Sequence, residues 1–182
     1  MTATVLRRDA HTTAVRLDTG RGEFTAETSA SVPIDTGAAP WVPATYALAM
    51  RIASSLEIRT EDGVPADVDR EQRAGAAAAG AIFASWFPEV DAVSMDAGLF
   101  GNDVVREAGE GRGVGCFFSL GVDSFHAVRK PLDEITHLIF VLGMDLDDHD
   151  GSAADLAVKR AQAAATDLGK ELIVVRTTVR RV

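Results

Sequence analysis

The chain has 182 residues, the length of one domain or one and a fraction at roughly 100 to 200 residues each. With 47% hydrophobic and 25% charged residues the composition is globular and excludes general disorder. Eighteen basic against 27 acidic residues leave a net charge of −9, which argues against broad nucleic-acid binding through phosphate neutralisation.

No apolar run approaches the roughly 18 residues of a membrane span. Arg7 and Arg8 have no hydrophobic stretch behind them, so no secretory signal is read and a cytoplasmic location is expected. The single cysteine, Cys116, excludes internal disulfides, CxxC pairs and multi-thiolate metal sites.

In chain order, residues 12–19 and 23–34 read as two strands of a hairpin turning at Gly20-Arg21-Gly22. Pro40-Trp41-Val42-Pro43 punctuates the chain after the hairpin. In residues 46–58, Tyr46, Leu48, Met50 and Ile52 alternate as in a strand while the residue types suit a helix, and the type stays open. Leu56 to Thr60 reads as a strand closed by an Asp62-Gly63 turn. In residues 66–87, Ala76, Ala79, Phe83 and Trp86 mark one face of a helix that Pro88 stops. Residues 90–95 read as a strand, and the Gly- and Glu-rich stretch 107–113 as a linker. The expected division is an α+β segment over 1–112 and a second segment over 113–182.

The second segment opens with a short apolar run, Val114 to Phe118, and a small-residue loop, Ser119 to Ser124. Phe125 to Lys130 is expected to be helical until Pro131. Residues 137–143 form an almost unbroken apolar run, as in a strand covered on both faces. Ser152 is read as N-cap of a helix with Ala154, Val158, Ala161, Ala165 and Leu168 on one face and Gly169 at C′. Leu172 to Val175 is the next strand. The order β-α-β-α-β predicts an α/β fold with a parallel sheet, whose carboxyl edge collects ligands.

The Ser119-Ser124 loop lies at that edge. Gly121 allows close backbone approach, helix N-terminal N–H groups attract phosphate, and Ser119 and Ser124 add hydroxyls. Asp123, a carboxylate in a phosphate site, is assigned loop organisation or metal contact. Phe118-Ser119-Leu120-Gly121-Val122-Asp123-Ser124 resembles the SGGxDS signature of the PP-loop ATP pyrophosphatases, a superfamily that includes GMP synthetase, asparagine synthetase and tRNA thiolation enzymes. The resemblance covers about residues 113–179, and Leu120 stands where a glycine is usual at the second position of the motif.

The resemblance implies a partial HUP-like, Rossmann-like sheet that binds ATP and Mg²⁺. The loop, Ser119 through Ser124 with Leu120, Gly121, Val122 and Asp123, would grip the β- and γ-phosphates. Gly143 and Met144 would meet adenine through the backbone. Asp145 opens an acidic run that reads as a solvated loop, and because it lies near the expected ATP edge a Mg²⁺ contact by Asp145, beside that of Asp123, stays open. The activity implied is activation of an acceptor as its adenylate with pyrophosphate release, Asp123 and Ser124 being the catalytic candidates. The family sheet has five strands and three are read here, so a partner subunit, a shortened chain or a degenerate module is also envisaged. The third strand's expected free edge points to a homo-oligomer or a second subunit.

Other motifs are read structurally. No GxxxxGK[ST] occurs, and Gly111-Arg112-Gly113-Val114-Gly115 precedes its strand, as a linker would. Asp147, Asp148, His149 and Asp150 read as a solvated loop, Cys116 as a small buried hydrophobe, and His126 as a packed or half-exposed side chain. Arg176, Arg180 and Arg181 read as a solvated basic tail.

Overall fold

The computed structural model describes residues 1–53, 55–96, 113–144, 146 and 151–181. Among these the structure is mixed α/β, with eight strands and four α-helices and mostly parallel strand pairing. It divides into two compact units, Met1–Glu27 with Ile34–Val105, and Thr28–Pro33 with Arg106–Arg181.

The first unit contains β1 (Thr2–Arg7), β2 (Thr12–Asp18), the larger part of β3 (Glu23–Ala30), α1 (Val42–Ile52), β4 (Ser55–Thr60), α2 (Arg70–Trp86) and β5 (Ser94–Asp96). Its strands lie in the order β5-β4-β1-β2-β3. β1 is antiparallel to β2, with Val5 opposite Val15, and parallel to β4, which is in turn parallel to β5. The front of the chain therefore holds its own parallel crossover, β4-α2-β5. Strand β1 escaped the sequence reading, although Ala3 and Val5 alternate into the core. The strand expected over 90–95 is three residues long, Ser94–Asp96.

The hairpin turns with Gly20 at φ 73°. The element left open is helix α1, and its burial shows why: Val42, Tyr46, Ala49 and Met50 are spaced by four, three and one, a helical stripe that the apparent alternation overlaps. Pro at N1/N2 presets its first turn. Trp41, just ahead, is buried and its indole N–H donates to Thr13 Oγ1 at 3.0 Å. In α2 the Asp69 carboxylate accepts from the Gln72 N–H at 2.7 Å, a side-chain N-cap. The face predicted for α2 is not covered: Phe83 and Trp86 are 45% and 65% exposed, and Gly80 is the buried residue of the helix. The spacing reports an amphipathic helix without reporting what lies opposite its stripe.

The second unit contains β6 (Gly115–Phe117), α3 (Val122–Arg129), β7 (His137–Leu142), α4 (Gly151–Asp167) and β8 (Glu171–Thr177). β6, β7 and β8 are parallel neighbours in the order β8-β7-β6. In β7, Leu138, Phe140 and Leu142 are buried while His137, Ile139 and Val141 are half-buried, so one face is better covered than the other. α4 lays Ala154, Ala157 and Ala161 on Phe140 and Leu142, and Ala165 joins Phe118, Val128, Ile135 and Leu138. Gly169, at φ 66°, ends the helical segment as C′. Ser152 lies inside α4, which already includes Gly151, and so is not its N-cap.

Two further expectations are corrected. α3 begins at Val122, three residues before the predicted Phe125, because Gly121 already accepts the first helical bond from Phe125 N–H at 3.1 Å. The outer edge of β8 is also not free. Thr28, Ser29 and Ala30 pair antiparallel with Thr177, Arg176 and Val175, and Thr28 and Thr177 hydroxyls meet at 2.9 Å. The homo-oligomer or second subunit expected from an open third strand loses that ground, since this chain covers the edge itself.

Candidate functional site

β6 and β7 run parallel with Phe117 opposite Ile139, so the chain leaves both strands at one edge of the second unit's sheet. Ser119, Leu120, Gly121, Val122, Asp123 and Ser124 follow β6 there, and Gly143 and Met144 follow β7. This is the carboxyl edge, where open α/β sheets hold ligands.

Leu120 has φ 66° and is the one non-glycine residue at positive φ among the described residues. For an L side chain that left-handed backbone costs on the order of 1–2 kcal/mol. Core packing holds the turn: Leu120 is half-buried and touches both the Phe118/Val128/Leu138 cluster and the Phe140/Leu142/Ala161 cluster. The Phe118 and Phe125 rings meet edge to face at 4.8 Å, tying the strand end to the helix start.

Gly121 is extended, φ −79° and ψ 160°, and caps α3 without any side-chain hydrogen bond. A Cβ there would have only Ser119 Oγ at 3.4 Å, so the glycine is not required by φ or by crowding. Its effect is to leave the first-turn N–H groups of α3 without a side-chain cap, the arrangement that receives anions. Val122 at the first position is 85% exposed, and Asp123 beside it is exposed. Ser124 is half-buried and its Oγ donates to the Gly121 carbonyl at 2.7 Å, so its hydroxyl already braces the loop.

Across the edge, Gly143 is buried with φ 92°. A Cβ there would stand 1.7 Å from the Thr177 carbonyl oxygen, so only glycine fits, for reasons of strand packing alone. Its N–H donates to the Leu146 carbonyl at 2.8 Å, and the Met144 carbonyl accepts from Arg180 Nη1. Arg180, read from sequence as part of a solvated tail, is thus bonded to the edge; an isolated arginine in a tail carries no pattern that announces this.

Asp145 and the acidic run at 147–150 lie outside the described residues, as do residues 107–112 of the expected linker. Among the described residues no group of three His, Cys, Asp or Glu is placed to hold a metal ion. Asp123 as a lone exposed carboxylate fits Mg²⁺ held mainly by phosphate oxygens and water. Cys116 is half-buried and packs beside the Phe118 cluster, as a small hydrophobe would, while His126 is exposed on α3.

Carboxyl groups held below their ordinary pKa occur in the first unit. The His11 backbone N–H lowers Asp9, a hydrogen bond with Arg59 lowers Glu57, and the Thr60 hydroxyl lowers Asp62. No helix among the described residues is long and apolar enough to cross a membrane. No protein family, curated protein or solved structure matches the chain, so the functional reading rests on the physical chemistry of the loop.

Proposed function

We propose that the second unit is a nucleotide-binding module of the PP-loop type, with a partial HUP-like sheet, that binds ATP with Mg²⁺ and activates an acceptor as its adenylate. The observation that carries this reading is Leu120. Strained non-glycine backbone concentrates at ligand clamps and active sites, and this residue sits between strand and helix at the position where the resembled signature has glycine. Beside it, Gly121 begins α3 with no side-chain hydrogen bond, so the first-turn N–H groups stay available to an anion.

In this reading the Val122 and Asp123 N–H groups and the Ser119 hydroxyl take phosphate oxygens. Ser124 holds the Gly121 carbonyl and so the loop's shape, and Asp123 contacts the cation, which supplies charge neutralisation when bound. An acceptor oxygen attacks the α-phosphorus, the bond to the β-phosphate oxygen breaks, and pyrophosphate leaves. Positioning and charge neutralisation suffice, and no covalent protein nucleophile is needed.

A second reading, a non-catalytic nucleotide-binding or protein-interaction module or one subunit of a split enzyme, is favoured by a specific observation. Gly143 and Met144 are the residues expected to meet adenine through the backbone, and the Gly143 N–H and the Met144 carbonyl are both engaged within the chain.

The test is calorimetry and thermal shift with ATP, GTP, AMP and pyrophosphate in Mg²⁺, on the wild type, Asp123→Asn, Ser124→Ala and Val122→Glu. Binding predicts stabilisation that rises with ATP concentration. Val122→Glu adds an anion at an exposed helix start, where the helix dipole tolerates it, so it should keep the fold and lose ATP. Absence of any ATP response in the folded wild type overturns the proposal. ATP binding without pyrophosphate release across an acceptor panel selects the second reading.

A further inference from the structure

Two strand ends meet closely at the carboxyl edge of the second unit. Gly143, which follows β7, has no side chain to hold it off, and a Cβ there would stand 1.7 Å from the Thr177 carbonyl oxygen at the end of β8. The chain leaves β8 through one 3₁₀ turn, Val179–Arg181, whose first N–H donates to Thr177 Oγ1 at 3.3 Å. The close contact sets that turn against the end of β7. Arg180 reaches across, and its Nη1 donates to the Met144 carbonyl.

A guanidinium carries five N–H donors in a rigid fork, and the bond to Met144 engages one nitrogen of it. Arg180 is exposed and has no carboxylate within ion-pair distance among the described residues. A carbonyl oriented this cation without neutralising it, so the free side of the fork stands at the ligand edge ready for an anion.

That is where an anion site lacks charge. The chain carries a net charge of −9, and residues 118–124 contribute Asp123 but no lysine or arginine. On α3 the basic residues, His126 and Arg129, belong to the last turn, away from the helix start, whose N–H groups supply only partial positive charge. Neighbouring strands lie about 4.8 Å apart, so a guanidinium over the end of β7 stands about one strand spacing from the loop that follows β6.

We propose that Arg180 binds a non-bridging oxygen of the α-phosphate of ATP, with the Met144 carbonyl holding its guanidinium in place. The assignment rests on the reading of the Ser119–Ser124 loop as the site of the β- and γ-phosphates. With those phosphates on the loop and the base toward β7, the α-phosphate falls between them, at Arg180. The base then lies beside Met144 rather than on its carbonyl. Negative charge grows on the α-phosphate oxygens as the acceptor attacks, so a fixed cation there favours the transition state over the bound nucleotide.

The test is calorimetric titration of ATP with Mg²⁺ into the full chain, with ³¹P spectra of the bound nucleotide at saturation. The wild type is compared with Arg180→Gln, Arg180→Lys and Arg129→Gln. Arg180→Gln is expected to weaken ATP roughly tenfold or more, the worth of one hydrogen bond to a charged group. It should also move the bound α-phosphorus resonance and leave β and γ in place. Arg180→Lys keeps the charge without the fork; it is expected to fall between, and it gives the spectrum if the glutamine variant does not saturate. Arg129→Gln, at the far end of α3, is expected to bind as the wild type does.

Equal ATP affinity in the wild type and Arg180→Gln overturns the assignment and leaves the loop reading standing. So does a loss that moves the β or γ resonance instead of α, or one that Arg129→Gln reproduces, since the charge would then act at a distance. No binding of ATP by the folded wild type overturns the loop reading itself, and this assignment with it.

Discussion

α2 and α4 are each 17 residues long and contain seven alanines apiece, yet they do opposite things with them. α4 buries four alanines, Ala154, Ala157, Ala161 and Ala165, because strand β7 puts Phe140 and Leu142 under that face. α2 buries Gly80 alone and leaves Ile82, Phe83 and Trp86 51%, 45% and 65% exposed, with Phe83 stacked on Phe87 at 6.4 Å and edge-on to Trp86 at 5.9 Å. Alanine supplies helix propensity in both. Whether small residues become a packed seam or an exposed face is decided by the partner element.

The sharpest contrast is a charge placed on each helix. Ala161→Asp puts an uncompensated carboxylate at a fully buried position and should cost on the order of 3–5 kcal/mol, unfolding the second unit. Ala77→Asp, on exposed α2 surface, should stay within about 0.5 kcal/mol. Urea unfolding followed by circular dichroism checks both, and similar costs would erase the distinction between the helices.

Added volume comes next. Ala161→Leu overpacks α4 and should lose about 1–3 kcal/mol. Gly75→Leu on α2, where an added Cβ meets nothing within 4 Å, should instead gain about 0.5–1 kcal/mol from helix propensity. A loss at Gly75 in the same unfolding assay would erase this contrast.

Gly80→Ala sharpens the contrast inside α2. Its Cβ would lie 2.7 Å from the Tyr46 hydroxyl oxygen, displacing the bond to Val93. The clash should outweigh the propensity gain and leave a net loss of about 1 kcal/mol. Two glycines five residues apart on one helix then give opposite signs.

The smallest effect is with acid. Asp9, Glu57 and Asp62 are held below their ordinary pKa values, so folding favours their charged forms. That stability is present above the ordinary carboxylate range, near about pH 4, and is lost as pH falls through the lowered values. All three belong to the first unit, so amide exchange below about pH 4 should rise first around α2 rather than α4. The double variant Asp9→Asn, Asp62→Asn should flatten the difference.

Much of the second unit was legible in the sequence, because β7 is a run of six apolar or bulky residues and α4 keeps a clear helical period ended by Gly169. The loop from Ser119 to Ser124 was legible as a connection from strand to helix, and Leu120 already stood out as the residue where the resembled signature has glycine. Its left-handed φ was not, since a leucine gives no local signal for a conformation that core contacts impose. Helix α1 was ambiguous because Tyr46, Leu48, Met50 and Ile52 fit two periods at once. The bond from Arg180 to Met144 and that from Trp41 to Thr13 both depend on elements brought together by folding. No local pattern encodes them.

The short pairing of Thr28–Ala30 with β8 has a consequence for the order of folding. Thr28 and Thr177 are 149 residues apart, so during synthesis the edge strand leaves the ribosome long before its partner exists. Closing so long a loop is entropically slow to repay. The nascent second unit therefore carries a bare β8 edge until residues 28–30 dock, and a fragment beginning at residue 113 would carry it permanently, inviting strand exchange between copies.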